Sequence, residues 1–199
     1  GKMGFALAAE AARRGARTIL VAGPVALATP AGVERQDVRT ALEMASAVHR
    51  YAGAADLIVM AAAVADFRPA VYADEKIKRH QGTPEIALVA NPDILAALAE
   101  VAPRALRVGF AAESTLAEAE ATRKLLAKGA HLLVANDISR GDIGFGADQN
   151  EVTIFRRESP PETLSRRPKA AIADALFDRF EAALAEIAEA NRAPGSRRS

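Results

Sequence analysis

Residues 56–67 have the sequence Asp-Leu-Ile-Val-Met-Ala-Ala-Ala-Val-Ala-Asp-Phe, and this stretch decides the fold class. Its first half is a short apolar run with β-branched residues, which is typical of a strand buried in a parallel sheet. Three alanines end the run, and Asp66 follows them closely. Because open parallel sheets bind ligands at the carboxyl ends of their strands, the stretch predicts a central strand that leads into a binding site. The alternative is that the alanines only allow a helix to pack tightly on the sheet.

A cluster of three cations follows this strand. Lys76, Lys78 and Arg79 stand within four residues of one another, and a basic cluster near such a crevice suits a polyphosphate. The simpler interpretation is a solvated loop, since most charged side chains lie on the surface.

Apolar strand patterns alternate with helical patterns along the chain. Besides the central strand, we predict strands at 17–22, 33–38, 85–90, 107–111, 131–135 and 151–156. Helices are predicted at 4–14, 41–51, 116–128 and 168–190, with a further helix that has Asn91 as its N-cap and Pro92 as its first residue. This alternation predicts a three-layer, Rossmann-like α/β sandwich with a mostly parallel sheet. Residues 141–157 depart from it and suggest a late antiparallel edge or arm, whose pairing with a second subunit would give a two-fold dimer.

Composition limits the possible function classes. The chain has 199 residues, 26 Lys and Arg against 25 Asp and Glu, and no cysteine. A net charge of +1 argues against a nucleic-acid or membrane-surface protein. The lack of cysteine excludes disulfides and thiol catalysis and fits a cytoplasmic location. We expect one domain over residues 1–191 and a disordered tail over 192–199.

Three further segments place polar or aromatic residues where a site could form. The helix start at residues 91–93 has backbone amides that suit a base or sugar edge, although ordinary capping explains it equally. Phe110 would stack on a base, although a strand phenylalanine usually belongs to the core. Lys124 and Lys128 share one helical face, where they would also compensate the helix dipole. Carboxylates that could help to hold Mg²⁺ are Asp66, Asp93, Glu113 and Asp137, but the sequence leaves the metal ligands unknown.

Taken in order, these motifs resemble phosphopantothenoylcysteine synthetase. The resemblance is carried by Gly1–Gly4, Ala61–Phe67, Lys76–Lys78, Asn91–Ile94, Gly109–Glu113, Ala135–Asp137 and Gly144–Asn150, and it covers the chain up to its tail. In bacteria this enzyme is commonly the C-terminal half of a bifunctional coenzyme A biosynthesis protein, behind a flavin-dependent decarboxylase. FMN would be expected only if that decarboxylase domain is present.

The resemblance implies a ligase that activates the carboxylate of 4′-phosphopantothenate with CTP and Mg²⁺ and then joins the acyl-cytidylate to cysteine. Lys76 would be catalytic and would face the triphosphate. The remaining nucleotide-binding residues implied by the resemblance are Met60, Ala61, Ala62, Asp66, Pro92, Asp93, Ile94, Leu95, Phe110, Lys124 and Lys128. Gly1 and Lys2, at a helix N-terminus, would bind the phosphopantothenate.

The chain lacks the glycine-rich strand-turn and the Asn/Ser-rich motif that precede Gly-Lys-Met-Gly in this family. We therefore expect an N-terminally truncated domain that lacks the first strand of the sheet and part of the phosphopantothenate site. Some eukaryotic relatives use ATP instead of CTP. Two other functions stay open, namely an NAD(P)-dependent reductase, despite the lack of an intact G-x-G-x-x-G motif, and a non-catalytic dimerising or regulatory subunit.

Overall fold

The computed structural model describes residues 1–72, 85–113, 118–137 and 147–192. Its helices are α1 (Lys2–Arg13), α2 (Ala41–Ala52), α3 (Ile94–Val101), α4 (Glu118–Ala127) and α5 (Lys169–Arg192). Its strands are β1 (Thr18–Ala22), β2 (Val33–Asp37), β3 (Leu57–Met60), β4 (Phe67–Pro69), β5 (Leu88–Ala90), β6 (Leu106–Glu113), β7 (Leu132–Asp137), β8 (Gln149–Arg156) and β9 (Ser159–Pro168).

The main sheet has the strand order β3-β6-β7-β8-β9. The first three of these strands are parallel, whereas β8 and β9 are antiparallel to their neighbours. In the described residues β1 and β2 form a separate parallel pair, and β4 and β5 form a separate antiparallel pair. The predicted α/β class is confirmed, and the antiparallel part predicted near residues 141–157 is the β8–β9 edge of the main sheet.

Side chains of alternating residues in the sheet pack against two different layers of helices. Val108, Leu132 and Val134 join a core with Leu7 of α1 and a row of apolar residues of α5. Leu133, Ala135 and Phe155 pack instead against Ala121 and Leu125 of α4. The period-two burial of the strands therefore produces the three layers that the sequence predicts.

Helix α1 is tied to α5 by an ionic network. The carboxylate of Glu10 is buried, and it accepts hydrogen bonds from Arg13 Nε at 2.7 Å and from Arg14 Nε at 2.6 Å. Arg14 continues to Asp174 and Asp178 of α5, each at 2.8 Å. These bonds hold α1 at one position against α5, and the N-terminus of α1 is fixed with it.

One local prediction was wrong, two strands were missed, and the last helix ends later than expected. The N-cap of α3 is Asp93, whose side chain accepts from Ala96 N, so Pro92 lies outside the helix and Asn91 is no cap. Strands β4 and β9 were not predicted, because each contains proline, which is depleted in strands. The predicted C-terminal helix runs two residues further than expected, to Arg192, and the rest of the expected tail lies outside the described residues.

The hairpin of β4 and β5 exposes large apolar side chains. Val71 and Tyr72, which follow β4, are 83% and 86% exposed, and Phe67 and Leu88 are also largely exposed. Exposed apolar side chains that lie together are uncommon on a monomer, and a two-stranded sheet by itself is only marginally stable in water. Both facts make this surface unusual for a monomer. Among the described helices, none has the length and apolar character needed to cross a bilayer.

We expect Glu10→Gln to lower the free energy of unfolding at pH 7 by about 2 kcal/mol, because the charge-assisted bonds to both arginines weaken. Bonding to Arg13 and Arg14 lowers the pKa of Glu10 from its ordinary 4.5 to about 2. A carboxylate with a lowered folded-state pKa stabilises the protein above pH 4.5 and loses that effect as the pH falls towards 2. Wild type should therefore lose stability over this range more steeply than the variant, as measured by urea unfolding at several pH values.

The matched control is Glu34→Gln, which breaks an exposed pair with Arg17 between β1 and β2. Its stability should stay within about 0.5 kcal/mol of wild type. Equal losses for the two variants would contradict the assigned role of the α1–α5 network.

Candidate functional site

The carboxyl ends of the three parallel strands lie at one edge of the main sheet. Met60, the last residue of β3, is in register with Gly109, and β6 continues beside β7 as far as the pair Glu113 and Asp137. The alanines 61–63 follow β3 as a loop and do not extend the strand. The edge predicted to carry the site is therefore formed by chain segments that are distant in sequence.

The loop after β3 is fastened by Asn91. The side-chain amide of Asn91 donates to Ala65 O at 2.8 Å, and its backbone N–H donates to Asp66 O at 2.8 Å. Arg68 Nη1 in turn donates to Asn91 Oδ1 at 3.2 Å. Asn91 thus holds the loop containing Ala61, Ala62 and Asp66 beside the start of α3.

Helix α4 and the residue that follows it bring two lysines towards the start of α3. Lys128, just after α4, forms a short ion pair with the N-cap Asp93. Lys124 lies one turn earlier, with its ammonium 3.8 Å from Glu120 and less than a third of its side chain exposed. The structure therefore gathers Pro92, Asp93, Ile94, Leu95 and Lys128 in one place, with Lys124 on the adjoining turn.

Gly109 allows α3 to lie close against β6. A Cβ atom at Gly109 would be 2.6 Å from Leu95 Cδ2 and 3.3 Å from Leu133 Cδ1. Ile94 and Met60 pack in the same small core on this face of the sheet. The candidate nucleotide residues of β3 and α3 therefore share one face.

Phe110 lies on the opposite face of the sheet. Like Met3 and Ala61, it packs against the core between the sheet and helices α1 and α5. The structure thus brings Phe110 to the same edge as Met60 but separates it from α3 by the sheet. Ala61 lies next to the beginning of α1.

The first turn of α1 is the second polar region of this edge. A Cβ atom at Gly4 would be 3.8 Å from the Cβ of Ala61, so the helix meets the end of β3 directly. Gly1 is the N-cap, and Lys2 Nζ lies 2.7 Å from Asp148 Oδ1, just before β8. The side chain of Lys169, the first residue of α5, donates to Ala147 O, and its backbone N–H donates to Asp148 O at 3.0 Å.

The charges in this second region influence one another. The hydrogen bond and the charge of Lys2 lower the pKa of Asp148. Burial lowers the pKa of Lys169, and the charge of Lys2 adds to this effect. Two ammonium groups and one carboxylate therefore lie together at the positive end of the α1 dipole, which favours an anionic ligand.

The remaining predicted site residues are not placed. Lys76, Lys78 and Arg79 lie outside the described residues, so their expected position near the triphosphate stays a prediction. Within the four described ranges, no group of three or more His, Cys, Asp or Glu side chains could hold a metal ion. Asp93, one of the predicted Mg²⁺ candidates, is engaged with Ala96 N and Lys128.

Sequence reasoning assigned no role to Asp148, Asn150 or Lys169. The segment Gly144–Asn150 contributed to the resemblance, but nothing in it indicates that Asp148 contacts Lys2, 146 residues away. The available signal for Lys169 was its position directly after Pro168 at a helix start. That signal predicts a helix boundary and gives no indication that the lysine is buried.

Comparisons with known proteins identify the family of this chain. The model of the DNA/pantothenate metabolism flavoprotein C-terminal domain family matches residues 1–184. Coenzyme A biosynthesis bifunctional protein CoaBC from Vibrio cholerae is 45% identical over 180 residues, which cover 89% of this chain and 45% of that protein. The chain thus spans about half the length of the curated relatives it matches, which accords with a fused partner domain in those proteins.

Two solved structures have the same fold. The C-terminal domain of coenzyme A biosynthesis bifunctional protein CoaBC aligns with a TM-score of 0.78 and 35% identity, over 94% of this chain and 84% of that one. A Cab2 mutant in complex with phosphopantothenate-cysteine aligns with a TM-score of 0.79 over 97% of this chain and 80% of that one. At 16% identity, the second likeness shows the fold alone.

A pair of substitutions at Asp93 separates its two contacts. Asp93→Asn keeps an oxygen that can cap α3 but removes the charge that pairs with Lys128, so its unfolding free energy should fall by less than about 0.5 kcal/mol. Asp93→Ala removes the cap as well and should cost about 1 kcal/mol. Chemical denaturation of the two variants measures the difference, and equal stabilities would contradict the capping role.

Proposed function

Because the chain belongs to the DNA/pantothenate metabolism flavoprotein C-terminal domain family, we propose that it acts in coenzyme A biosynthesis as the ligase of 4′-phosphopantothenate and cysteine. The relatives that it matches include a coenzyme A biosynthesis bifunctional protein and the solved C-terminal domain of such a protein. The proposed nucleotide is CTP, as the resemblance to bacterial phosphopantothenoylcysteine synthetase implies.

The proposed reaction has two steps. A carboxylate oxygen of 4′-phosphopantothenate attacks the α-phosphorus of CTP, the bond to the β-phosphate oxygen breaks, and pyrophosphate leaves. The cysteine amine then attacks the acyl carbon, the bond to the cytidylate oxygen breaks, CMP leaves and a proton is released. Both steps avoid a side-chain nucleophile, which suits a chain without cysteine. They require positioned donors and cations, because negative charge builds up on the phosphate oxygens.

The observation that carries this proposal is the meeting of two polar regions at one edge of the sheet. On one face, Asp93, Leu95 and Lys128 surround the start of α3, which suits the nucleotide. On the other face, the first turn of α1 carries Lys2 and touches Ala61, which suits the acid. The loop after β3 contacts both regions, through Ala61 on the α1 side and through Ala65 and Asp66 on the α3 side.

We assign residues to the two ligands by this division. The nucleotide would contact Met60, Ala61, Ala62, Asp66, Pro92, Asp93, Ile94, Leu95, Lys124 and Lys128, and Lys76 would reach its phosphates. Phe110 would border the pocket from the α1 side, because it packs against the same core as Ala61. Gly1 and Lys2 would contact the phosphopantothenate.

Mg²⁺ is proposed to accompany the triphosphate, for which phosphate oxygens supply part of the ligand shell. The described side chains do not form a metal site of their own, so no step is assigned to the ion. FMN would belong to a fused decarboxylase domain and has no role in this reaction.

The strand that the resemblance places before Gly1 would complete the sheet. In the described residues β1 pairs only with β2 and β3 pairs only with β6, which leaves one edge of β1 and one edge of β3 unpaired. A parallel strand between β1 and β3 would join the two sheets into one. Its loop would then approach the first turn of α1.

The ligase should lose activity when Lys76 is replaced by Gln. We expect the rate of pyrophosphate release from CTP, in the presence of 4′-phosphopantothenate, to fall by roughly 10²-fold or more, because a cation that stabilises the departing phosphates is removed. Pyrophosphate release measured by a coupled assay checks this. The control is Arg79→Gln, a cation of the same segment, which should retain most of the activity. A Lys76→Gln variant as active as this control would overturn the role of Lys76.

We propose that the β4–β5 hairpin forms the interface of a homodimer, since its apolar side chains are exposed in the single chain. Leu88→Glu places a charge on this surface and should convert the dimer to monomer in sedimentation velocity at micromolar concentration. Leu126→Glu, at an exposed leucine of α4, is the control and should remain dimeric. A dimer that survives Leu88→Glu would place the interface elsewhere.

A further inference from the structure

We propose that Lys169 and Asp148, together with Lys2, form the subsite for the phosphate group of the acid substrate, with Asp148 occupying the lysines when the phosphate is absent. This inference rests on the proposed function and adds residues that neither the sequence nor the family match assigns. It concerns the face of the sheet that carries α1 and α5.

The first support is the position of Lys169. The residue is only 8% exposed, although lysine is almost never this buried unless it is paired. Its ammonium donates to Ala147 O, and it lies close enough to Lys2 for that charge to lower its pKa. The charge of Asp148 opposes this lowering of the Lys169 pKa. Because two ammonium groups share this partly dehydrated place, a ligand carrying two negative charges would interact favourably with both of them.

The second support is the nature of Asp148. Its side chain is 89% exposed, and its carboxylate lies 2.7 Å from Lys2 Nζ. Such an exposed pair contributes little to stability, so a stronger anion can replace the carboxylate at small cost. A phosphate dianion has more charge and more acceptor oxygens than a carboxylate, and it would compete well for both lysines.

The third support is Asn150, two residues further along β8. Asn150 is only 3% exposed, and no donor in the described structure reaches its side-chain oxygen Oδ1. The β8–β9 register shifts between Asn150 and Val152, but burial along β8 still alternates, and Asn150 is buried like Val152 and Ile154. Because residues two apart in a strand share a face, we place Asn150 on the side of these two residues, which belong to the core with α1 and α5. A buried acceptor on the side of Lys2 and Lys169 suits a ligand that carries a hydroxyl or amide hydrogen in addition to its phosphate. The hydrogen would bond to Asn150 Oδ1, and the phosphate would bind the lysines.

The N-terminus of α1 completes this arrangement. Gly1 is an N-cap without a side-chain cap, and the first turn contains no acidic residue. The dipole of α1 therefore adds to the two ammonium groups. The nucleotide lysine Lys128 lies on the other face with α3, so the two anionic ligands would be held by separate sets of cations.

Calorimetric titration of the protein at its natural length tests the subsite, with 4′-phosphopantothenate, pantothenate and CTP as separate ligands. The quantity of interest is the ratio of the dissociation constants for pantothenate and 4′-phosphopantothenate, because this ratio isolates the phosphate. Lys169→Gln should lower the ratio by about tenfold, the loss expected for one charge-assisted contact. Asp148→Asn should raise it several-fold, because the competing carboxylate is gone. Binding of CTP should not change in either variant.

Arg157→Gln is the control, because Arg157 is an exposed cation in the turn between β8 and β9. If Lys169 served only to hold Ala147 in place, Lys169→Gln would lower the stability and leave the ratio at its wild-type value, which would overturn the inference. Asp148→Asn gives an independent answer even if Lys169→Gln fails to fold, since Asp148 is exposed, and an unchanged or lower ratio there also contradicts the inference.

The same titrations separate this inference from the proposed function. If wild type binds 4′-phosphopantothenate and CTP but neither variant changes the ratio of dissociation constants, only the inference about the phosphate subsite is overturned. If wild type binds neither ligand, the proposed ligase itself is wrong.

Discussion

The position of α1 is the constraint on which the rest of the site depends. Glu10 and Arg14 fix the helix to α5, and Gly4 lets its first turn meet Ala61 at the end of β3. If α1 were not held in this position, Lys2 would move away from Asp148. The helix dipole, the lysine and the central strand therefore act together only because one helix is held rigidly on two sides.

The parallel strands add a second constraint. Since β3, β6 and β7 run in the same direction, the loops that leave them meet at one edge. Helices then cover both faces, and each face offers its own N-terminus at that edge: α1 on one side and α3 on the other. This arrangement provides two anion-favouring regions, and the proposed ligase would need two in order to hold a phosphorylated acid and a nucleotide. The sheet itself keeps their cations apart.

The sequence was sufficient for the parts of the fold that depend on local patterns. Apolar periodicity located β1, β3, β6 and β7 and the helices around them, because each buries a face whose spacing is visible in the sequence. It missed β9, in which Pro160, Pro161 and Pro168 argue against a strand. This strand lies at the edge of the sheet, where a missing N–H leaves no partner unsatisfied.

The site was predictable only where a motif carried it. Asn91 has the local pattern of an N-cap, but its amide is used in a tertiary bond to Ala65, and Asp93 caps the helix instead. The contact of Lys2 with Asp148 and the burial of Lys169 come from the way α1, β8 and α5 pack, and residues so far apart in the chain give no local signal. Charged residues are normally predicted to be exposed, so a buried lysine is found only from the structure.

Transfer of an isotope label shows whether this edge joins an acid to a cytosine nucleotide, as we propose. 4′-Phosphopantothenate labelled with ¹⁸O in its carboxylate is incubated with CTP and cysteine, and the CMP formed is analysed by mass spectrometry. We expect one labelled oxygen in each CMP, because the carboxylate oxygen becomes bonded to the α-phosphorus and leaves with it. CMP without label, or product formation without CTP, would rule out the proposed acyl-cytidylate.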